Sequence, residues 1–253
     1  MKAIKPLSFV QSLVLFGLSA LLFRLSVYNL MPALLSYGIL PFWSFIISYG
    51  IPLLILLVAT FFFVAREGNL QHWRIRLRLN RLTGKQILWC LGLFALSFLL
   101  TGLLIPTAKY IASMSFLMPP DFLPDVLNPN KTVPGKALTT FMGVSLKGAY
   151  WVVLVYFIFL TLLNILGEEL WFRGYILPRQ ELTWGKRTWI YHGIFWCLFH
   201  TPIYPWTILY LLPTTLTVSY AAYRFQNTWA GFIIHYLGNG LLALLPILIG
   251  IMK

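Results

Sequence analysis

Hydrophobic positions dominate this chain in long runs that polar residues seldom interrupt. Seven such runs have roughly the 20 residues that a helix needs to cross the hydrocarbon core of a bilayer. They predict an all-α, polytopic transmembrane bundle of about seven spans, in which 31–40 is either an interfacial helix or a longer start to the second span. The predicted spans lie near 8–30, 41–65, 86–107, 148–178, 188–204, 205–223 and 228–250.

Composition assigns the whole chain to one class. Of its 253 residues 59% are hydrophobic and only 10% are charged, whereas soluble domains have about 25% charged residues. We therefore expect a single integral membrane domain over 1–253, without internal repeats. The first run is long and no cleavage site follows it, which favours an anchor over a signal peptide. Cys90 and Cys197 lie inside apolar runs, as buried packing residues do.

The basic residues predict an orientation for the bundle. With the N-terminus inside, thirteen basic residues fall on the cytoplasmic side and five on the other, as the positive-inside rule requires. The net charge of +13 is thus explained by topology and by lipid headgroups, and no nucleic-acid partner is expected. The first group is Lys2, Lys5, Arg66, Arg74, Arg76, Arg78, Arg81, Lys85, Arg173, Arg179, Lys186, Arg187 and Arg224, and the second is Lys109, Lys131, Lys136, Lys147 and Lys253.

Two loops have recognisable compositions. The segment 72–85 alternates arginine with apolar residues, which predicts that it lies against the inner membrane surface. The outer loop, 108–147, is rich in proline and asparagine, so we expect it to be irregular. Its two acidic residues, Asp121 and Asp125, are expected to be solvated and to take no part in chemistry.

Glu168 and Glu169 are the only acidic residues predicted to lie at hydrocarbon depth. An ionisable group there costs about 2.5–3.5 kcal/mol on insertion scales, so such residues commonly mark functional sites. At about 1.5 Å per residue, Glu168, His200 and His235 lie roughly 15, 18 and 11 Å from the cytoplasmic end of their spans. Three spans therefore bring polar groups to a similar depth.

Helical spacing indicates which of these groups share a face. Glu169 and Arg173 are four residues apart, so they can form an ion pair while Glu168 points elsewhere. His235 and Asn239 have the same spacing in "HYLGN".

Two further patterns lie near these residues. His192, Trp196 and His200 form a stripe on one helix face, in which His192 is expected to be structural. Gly238 and Gly240 would permit close approach of another helix or of a peptide backbone.

This set of side chains is suited to hydrolysis. A carboxylate beside a histidine can hold and deprotonate water, and a second histidine with an amide can stabilise an oxyanion. Alternatively, Glu168, His200 and His235 could bind a divalent metal ion such as zinc that activates the water. No serine or cysteine nucleophile motif and no glycine-rich phosphate loop competes with this interpretation.

The motifs resemble those of the CPBP family of intramembrane proteases, which is related to the CAAX prenyl endopeptidases and to bacterial Abi proteins. "EELWFRG" is similar to the family's Glu-Glu-x-x-x-Arg signature, Trp196 precedes His200 by four residues, and "HYLGN" fits the third motif. The resemblance covers roughly 148–250, the expected catalytic core. Trp196 stands where the family usually has phenylalanine.

The resemblance implies a metalloprotease-like endopeptidase that cleaves a membrane-associated peptide or lipidated protein, for which a prenylated CAAX protein is one candidate. It implies that Glu168 works with His200 on water and that Glu169 and Arg173 organise the site. His235 and Asn239 would stabilise the oxyanion or help to hold a metal.

Two other classes of function remain open from the sequence. An immunity-type or catalytically silent relative would bind a bacteriocin, although a pure binder has no need of these polar side chains. A proton-coupled transporter would use Glu168 and His200 as a relay, but such proteins commonly contain two related halves. A multi-pass protein of the bacterial plasma membrane is the expected setting.

Overall fold

The structure is a computed structural model that describes residues 3–68, 70–131 and 138–252. It is 76% helical, and five helices are long and apolar enough to cross a membrane by length and composition. The predicted helical membrane bundle is therefore confirmed. Lys2, Lys136 and Lys253, which entered the predicted charge distribution, lie outside the described residues.

Three long helices form the first half of the chain. Helix α1 (Phe9–Ser36), helix α2 (Pro41–Arg66) and helix α4 (Gly84–Ala112) match three predicted spans, and a short helix, α3 (Trp73–Arg76), precedes α4. Helix α1 continues through a π-helical turn at Ser26–Leu30 and ends at Ser36. Residues 31–36 are therefore part of the first span, and form neither an interfacial helix nor the start of the second span.

The helix starts follow from local capping chemistry. Ser8 and Gln11 form a capping box at the start of α1, and Thr83 with Gln86 forms another at the start of α4. In each box the hydroxyl accepts a backbone N–H that has no partner inside the helix. Pro41 begins α2, where its missing N–H costs no hydrogen bond.

The second half of the chain carries the predicted motifs. Helix α5 covers 150–184 and alternates α-helical segments (Tyr150–Ile158, Leu166–Glu169 and Leu177–Trp184) with π-helical segments (Phe159–Ile165 and Leu170–Ile176). After a turn at Gly185, which has a φ of +54°, follow helix α6 (Thr188–His200) and helix α7 (Leu212–Phe225). Helix α8 (Thr228–Ile251) contains a π-helical segment at Tyr236–Leu241.

The predicted spans 188–204 and 205–223 correspond to helices of only 13 and 14 residues, α6 and α7. The non-helical stretch 201–211 connects them and includes a 3-10 turn at Pro205–Thr207. The two helices pack closely because Gly193 leaves room: a Cβ there would lie 2.9 Å from a methyl group of Leu216.

The bundle has two ends of different character. At one end, which we call the basic face, α2, α5 and α7 end and α4, α6 and α8 begin. Ion pairs join these termini: Arg179 lies 2.6 Å from Glu67 and Arg78 lies 2.7 Å from Glu181. Arg173, which the sequence assigned to this face, is instead fully buried inside the bundle.

The loop 72–85 packs onto the basic face instead of lying only against lipid. Leu77 is fully buried and sits over Gly174, where a Cβ would lie 3.2 Å from a Leu77 methyl group. The carbonyls of Leu77 and Arg78 accept hydrogen bonds of 2.7 and 2.9 Å from Thr228, at the start of α8.

The opposite face carries the long loop between α4 and α5. As predicted it is largely irregular in its described part, with one 3-10 turn at Asp125–Leu127 and a two-stranded antiparallel hairpin of β1 (Thr140–Phe141) and β2 (Val144–Ser145). Asp125 forms a solvent-exposed ion pair of 3.3 Å with Lys131.

Candidate active site

A cavity of about 530 Å³ lies between the helices. Its walls are mostly apolar and aromatic, and they come from α1, α2, α4, α5, α6, α8, the outer loop and the stretch 201–211. Non-helical backbone at membrane depth is tolerated where it lines a cavity, which explains why α6 can end at His200. The polar lining includes Glu168, His200, His235 and Asn239, so three separate helices deliver these predicted side chains to one cavity.

Glu168 is the acidic residue that lines the cavity. It is 5% exposed, and its Oε2 accepts a hydrogen bond of 3.2 Å from the indole N–H of Trp196. The short α-helical segment Leu166–Glu169 that carries it lies between two π-helical segments of α5. Such π-helical turns often occur at functional sites because they redirect side chains.

Glu169 points away from the cavity and forms the predicted pair with Arg173. Its Oε1 lies 3.1 Å from Nη1 of Arg173, and both side chains are fully buried. The guanidinium does not direct an N–H at this oxygen, so the contact is an ion pair without an aligned hydrogen bond. The guanidinium carbon of Arg173 also lies 3.4 Å from the centre of the Trp196 ring, a cation–π contact.

The same carboxylate orients His235. Nδ1 of His235 donates a hydrogen bond of 3.0 Å to Oε1 of Glu169. On the other side of the ring, Nε2 lies 3.4 Å from the amide nitrogen of Asn239. With the proton on Nδ1, Nε2 accepts from the Asn239 amide, so the order of contacts is Arg173, Glu169, His235 and Asn239.

Trp196 lies between the two histidines. Its ring centre is 5.4 Å from that of His200 and 5.1 Å from that of His235, with edge-to-face geometry in both pairs. Nδ1 of His200 donates 2.8 Å to the backbone carbonyl of Trp196, which fixes the ring and leaves Nε2 without a proton in the neutral form. The indole therefore positions Glu168 and packs against both histidines.

Gly231 is a site residue that the sequence analysis missed. A Cβ at this position in α8 would lie 2.5 Å from Oε2 of Glu169, so only glycine allows α8 to approach the carboxylate. The signal in the sequence was a glycine four residues before His235. Of the two glycines proposed for close approach, a Cβ at Gly240 would lie 2.9 Å from a methyl group of Ile165, whereas a Cβ at Gly238 would make only an ordinary contact of 3.9 Å with Phe94.

Further cavity residues also lay outside the sequence prediction. Asn164, one turn before Glu168, lines the cavity. The hydroxyls of Tyr49 and Tyr204 form a hydrogen bond between α2 and the stretch 201–211, and both tyrosines line the cavity. His192, by contrast, is fully buried away from the cavity, where its Nδ1 lies 2.6 Å from Oε1 of Gln180.

The candidate metal ligands do not form a ligand set in this arrangement. Within 3–68, 70–131 and 138–252, no group of three or more His, Cys, Asp and Glu residues is placed to hold a metal ion. Nε2 of His235, the ring nitrogen left for a metal, lies 3.4 Å from the amide nitrogen of Asn239, and Oε2 of Glu168 is hydrogen-bonded to Trp196. Glu168, His200 and His235 therefore do not fit a three-ligand zinc site as placed.

Comparison with known proteins gives one match. Residues 149–241 match the family model described as Type II CAAX prenyl endopeptidase Rce1-like. No curated protein and no solved structure matches the chain. The matched segment begins just before α5, ends in α8 and contains the predicted site residues from Glu168 to Asn239, whereas Tyr49 and the cavity residues of α1, α2 and α4 lie outside it. Residues 149–241 of this integral membrane chain are therefore similar to the CAAX prenyl endopeptidases, which supports the resemblance to the CPBP intramembrane proteases over that segment.

Proposed function

We propose that the chain is an endopeptidase that hydrolyses a peptide bond of a membrane-associated substrate by means of a water molecule activated by Glu168 and His200. The observation that carries this proposal is that the two adjacent glutamates have different surroundings. Glu169 is held by Arg173 and His235, whereas Glu168 lines the cavity and has one carboxylate oxygen outside the Trp196 hydrogen bond. A carboxylate with an available oxygen beside a cavity is suited to act as a general base.

In the proposed reaction, Glu168 accepts a proton from water while Nε2 of His200 orients that water. The oxygen attacks the carbonyl carbon of the scissile bond, and the carbonyl π electrons move to its oxygen. The electron pair on the oxyanion then re-forms the C=O bond, the C–N bond breaks and its electrons go to the amide nitrogen, and Glu168 returns the proton to that nitrogen, which leaves a new carboxyl group and an amine.

Asn239 is the proposed donor to the oxyanion. Its amide carries two hydrogens, of which one reaches Nε2 of His235 and the other is available to the cavity. His235 is fixed by Glu169, so the buried ion pair holds the donor in position before the reaction. Arg173, Glu169 and His235 are positioning residues in this scheme.

The proposed substrate is a peptide or lipidated protein that reaches the site within the bilayer, and membrane lipid surrounds the protein. A prenylated CAAX protein is a candidate from the name of the matching family. We place the protein in a bacterial plasma membrane, with 148–250 as its catalytic core. A divalent metal has no assigned role, because the side chains as placed do not fit one.

The test compares purified wild type with Glu168→Gln in detergent. The substrates are fluorogenic hydrophobic peptides, prenylated and unprenylated, each assayed with and without a chelator. We expect Glu168→Gln to lose about 100-fold or more of the cleavage rate. Asp121→Asn, which removes a carboxylate from the exposed outer loop, is the matched control and should retain the wild-type rate.

Three results separate the alternatives. Equal cleavage by wild type and Glu168→Gln contradicts the proposed base. Inhibition by the chelator that added zinc reverses contradicts the metal-independent scheme. It does not contradict the proposal that the protein is an endopeptidase. If folded wild type cleaves none of the peptides, the endopeptidase proposal loses its support.

A further inference from the structure

The cavity occupies only one half of the bundle. Helix α2 runs toward the basic face from Pro41 to Arg66, and its cavity residues, Phe45, Tyr49 and Leu53, come from the first half. Helix α4 runs the other way, and its cavity residues lie in its last turns. Residues 126, 127 and 129 of the outer loop complete the lining. The cavity therefore extends from Glu168 toward the face opposite the basic one.

On the other side of Glu168 the bundle is filled. The seven residues that follow Glu169 along α5, from Leu170 to Ile176, are all buried. Below them Leu77 packs on Gly174, and Arg179 is 2% exposed in its ion pair with Glu67. The backbone N–H of Leu7 donates 3.1 Å to the carbonyl of Arg179, so the N-terminal segment is fastened over the same end.

The charges identify which membrane side each end faces. Among described residues, the basic face holds Lys5, Arg66, Arg74, Arg76, Arg78, Arg81, Lys85, Arg179, Lys186, Arg187 and Arg224. The face with the cavity holds Lys109, Lys131 and Lys147, together with Asp121 and Asp125, and Arg24 lies within α1, where it donates 2.8 Å to the carbonyl of Pro202. By the positive-inside rule the filled end is cytoplasmic. The cavity consequently faces the non-cytoplasmic side.

We propose that the site takes its substrate from the non-cytoplasmic side of the membrane: the extracytoplasmic end of an apolar, membrane-anchored peptide. This inference rests on the proposed function and narrows its substrate class. Aromatic walls that include Tyr156, Phe199 and Trp206 suit an apolar segment. Among the described lining residues Lys109 is the one lysine or arginine, so it favours an anionic group, such as a terminal carboxylate, at the outer part of the cavity.

This assignment separates two kinds of substrate. A prenylated C-terminal tail on the cytoplasmic side would meet the filled end, where the ion pairs and Leu77 stand between it and Glu168. A segment released or exposed on the other side would reach Glu168 along the cavity without crossing that end.

The first experiment determines which side the cavity faces. Val126→Cys places a thiol at an outer-loop position that lines the cavity and is 37% exposed, and Lys186→Cys places one on the exposed basic face. Intact bacterial cells that express each variant are treated with a membrane-impermeant maleimide, before and after permeabilisation. The parent chain provides the background, because Cys90 and Cys197 are 0% and 2% exposed.

We expect at least ten-fold stronger labelling of Val126→Cys than of Lys186→Cys in intact cells, and equal labelling after permeabilisation. The reverse pattern, labelling of both positions in intact cells, or no labelling of Val126→Cys under either condition would each overturn the proposal.

The second experiment tests whether the outer end is the entrance. In detergent both faces are open to solvent, so orientation no longer matters. A bulky maleimide attached to Val126→Cys should lower peptide cleavage at least five-fold relative to the same variant before modification. The same reagent on Lys186→Cys should leave cleavage unchanged. Unchanged cleavage by modified Val126→Cys would overturn the proposal.

The two experiments distinguish a failure of the proposed function from a failure of the proposed orientation. If the wild type cleaves no peptide, the proposed function fails, and the labelling still decides on which side the cavity opens. If cleavage is present but the labelling is reversed, the endopeptidase stands and its substrate comes from the cytoplasm.

Discussion

The indole N–H of Trp196 donates a hydrogen bond of 3.2 Å to Oε2 of Glu168, so two helices that are separate in sequence share one buried polar contact. The same indole also contacts Arg173, whose guanidinium carbon lies 3.4 Å from the ring centre. Trp196 therefore links the carboxylate proposed as the base to the ion pair beside it. From the family resemblance, Trp196 was expected only to replace the usual phenylalanine with another aromatic ring.

Trp196→Phe should lower kcat by about ten-fold, with little change in KM. The substitution keeps an aromatic ring but removes the donor, and a hydrogen bond to a charged group is worth about 1.5 kcal/mol or more, which corresponds to about ten-fold in rate. Steady-state cleavage of a fluorogenic peptide measures both constants. A variant with the wild-type kcat would show that the indole N–H has no part in positioning Glu168.

Arg173→Met should destabilise the protein by about 3–5 kcal/mol, because it leaves the carboxylate of Glu169 buried without its ion-pair partner. The double variant Glu169→Gln/Arg173→Met should regain much of that stability and remain inactive, since His235 loses its orienting carboxylate. Thermal unfolding in detergent and peptide cleavage provide the two measurements. Arg78→Met, which breaks a partly exposed pair with Glu181, should cost only about 1 kcal/mol. Equal costs for the two arginines would contradict this account.

Gly231→Ala should abolish cleavage and lower the unfolding temperature, since its Cβ would lie 2.5 Å from Oε2 of Glu169. Gly92→Ala is the matched control: it lies inside α4, and a Cβ there meets nothing within 4 Å. That change should leave cleavage intact and stability equal or up to about 1 kcal/mol higher, because alanine favours helix. If Gly231→Ala behaved like Gly92→Ala, α8 would not need to approach Glu169 so closely.

Asn239→Leu should reduce kcat by about 100-fold while the protein stays folded. Removal of a single donor to an oxyanion typically has an effect of this size. Unfolding temperature should change little, since Asn239 is exposed to the cavity. A main effect on KM instead of kcat would assign Asn239 to substrate binding and not to the transition state.

Lys109→Gln should raise KM about three- to five-fold for peptides with a free C-terminal carboxylate, and should not affect the amidated forms of the same peptides. The expected effect is modest because Lys109 is exposed and water screens its charge. Equal changes for both peptide forms would show that Lys109 does not bind the carboxylate.

The sequence predicted the parts of the site that depend on helical spacing and depth. Glu169 pairs with Arg173, His235 contacts Asn239, and Glu168 faces elsewhere, as the spacing indicated. Long apolar runs likewise predicted the long helices, because a membrane-spanning helix requires only sufficient length and hydrophobicity.

Contacts between distant segments could not be predicted in this way. The hydrogen bond from Trp196 to Glu168 and the approach of Gly231 to Glu169 depend on how helices pack, which a periodic pattern does not encode. The length of the apolar stretch 188–223 predicted two full spans, but the structure has the shorter helices α6 and α7 there, because the chain turns back at the cavity. Arg173 was counted with the loop charges because a fully buried arginine is rare.

The π-helical turns on either side of Glu168 and Glu169 make the direction of these side chains depend on chain length as well as on residue type. Each π-helical turn accommodates one residue more than an α-helical turn. If Phe159–Ile165 became α-helical with no residue removed, the two glutamates would rotate by about 100° relative to Tyr150–Ile158, whereas deletion of one residue together with the π-helical turn would keep their direction. A homologue with one apolar residue fewer in this segment could therefore present its reactive carboxylate to the cavity from an uninterrupted α-helix, with every motif residue unchanged.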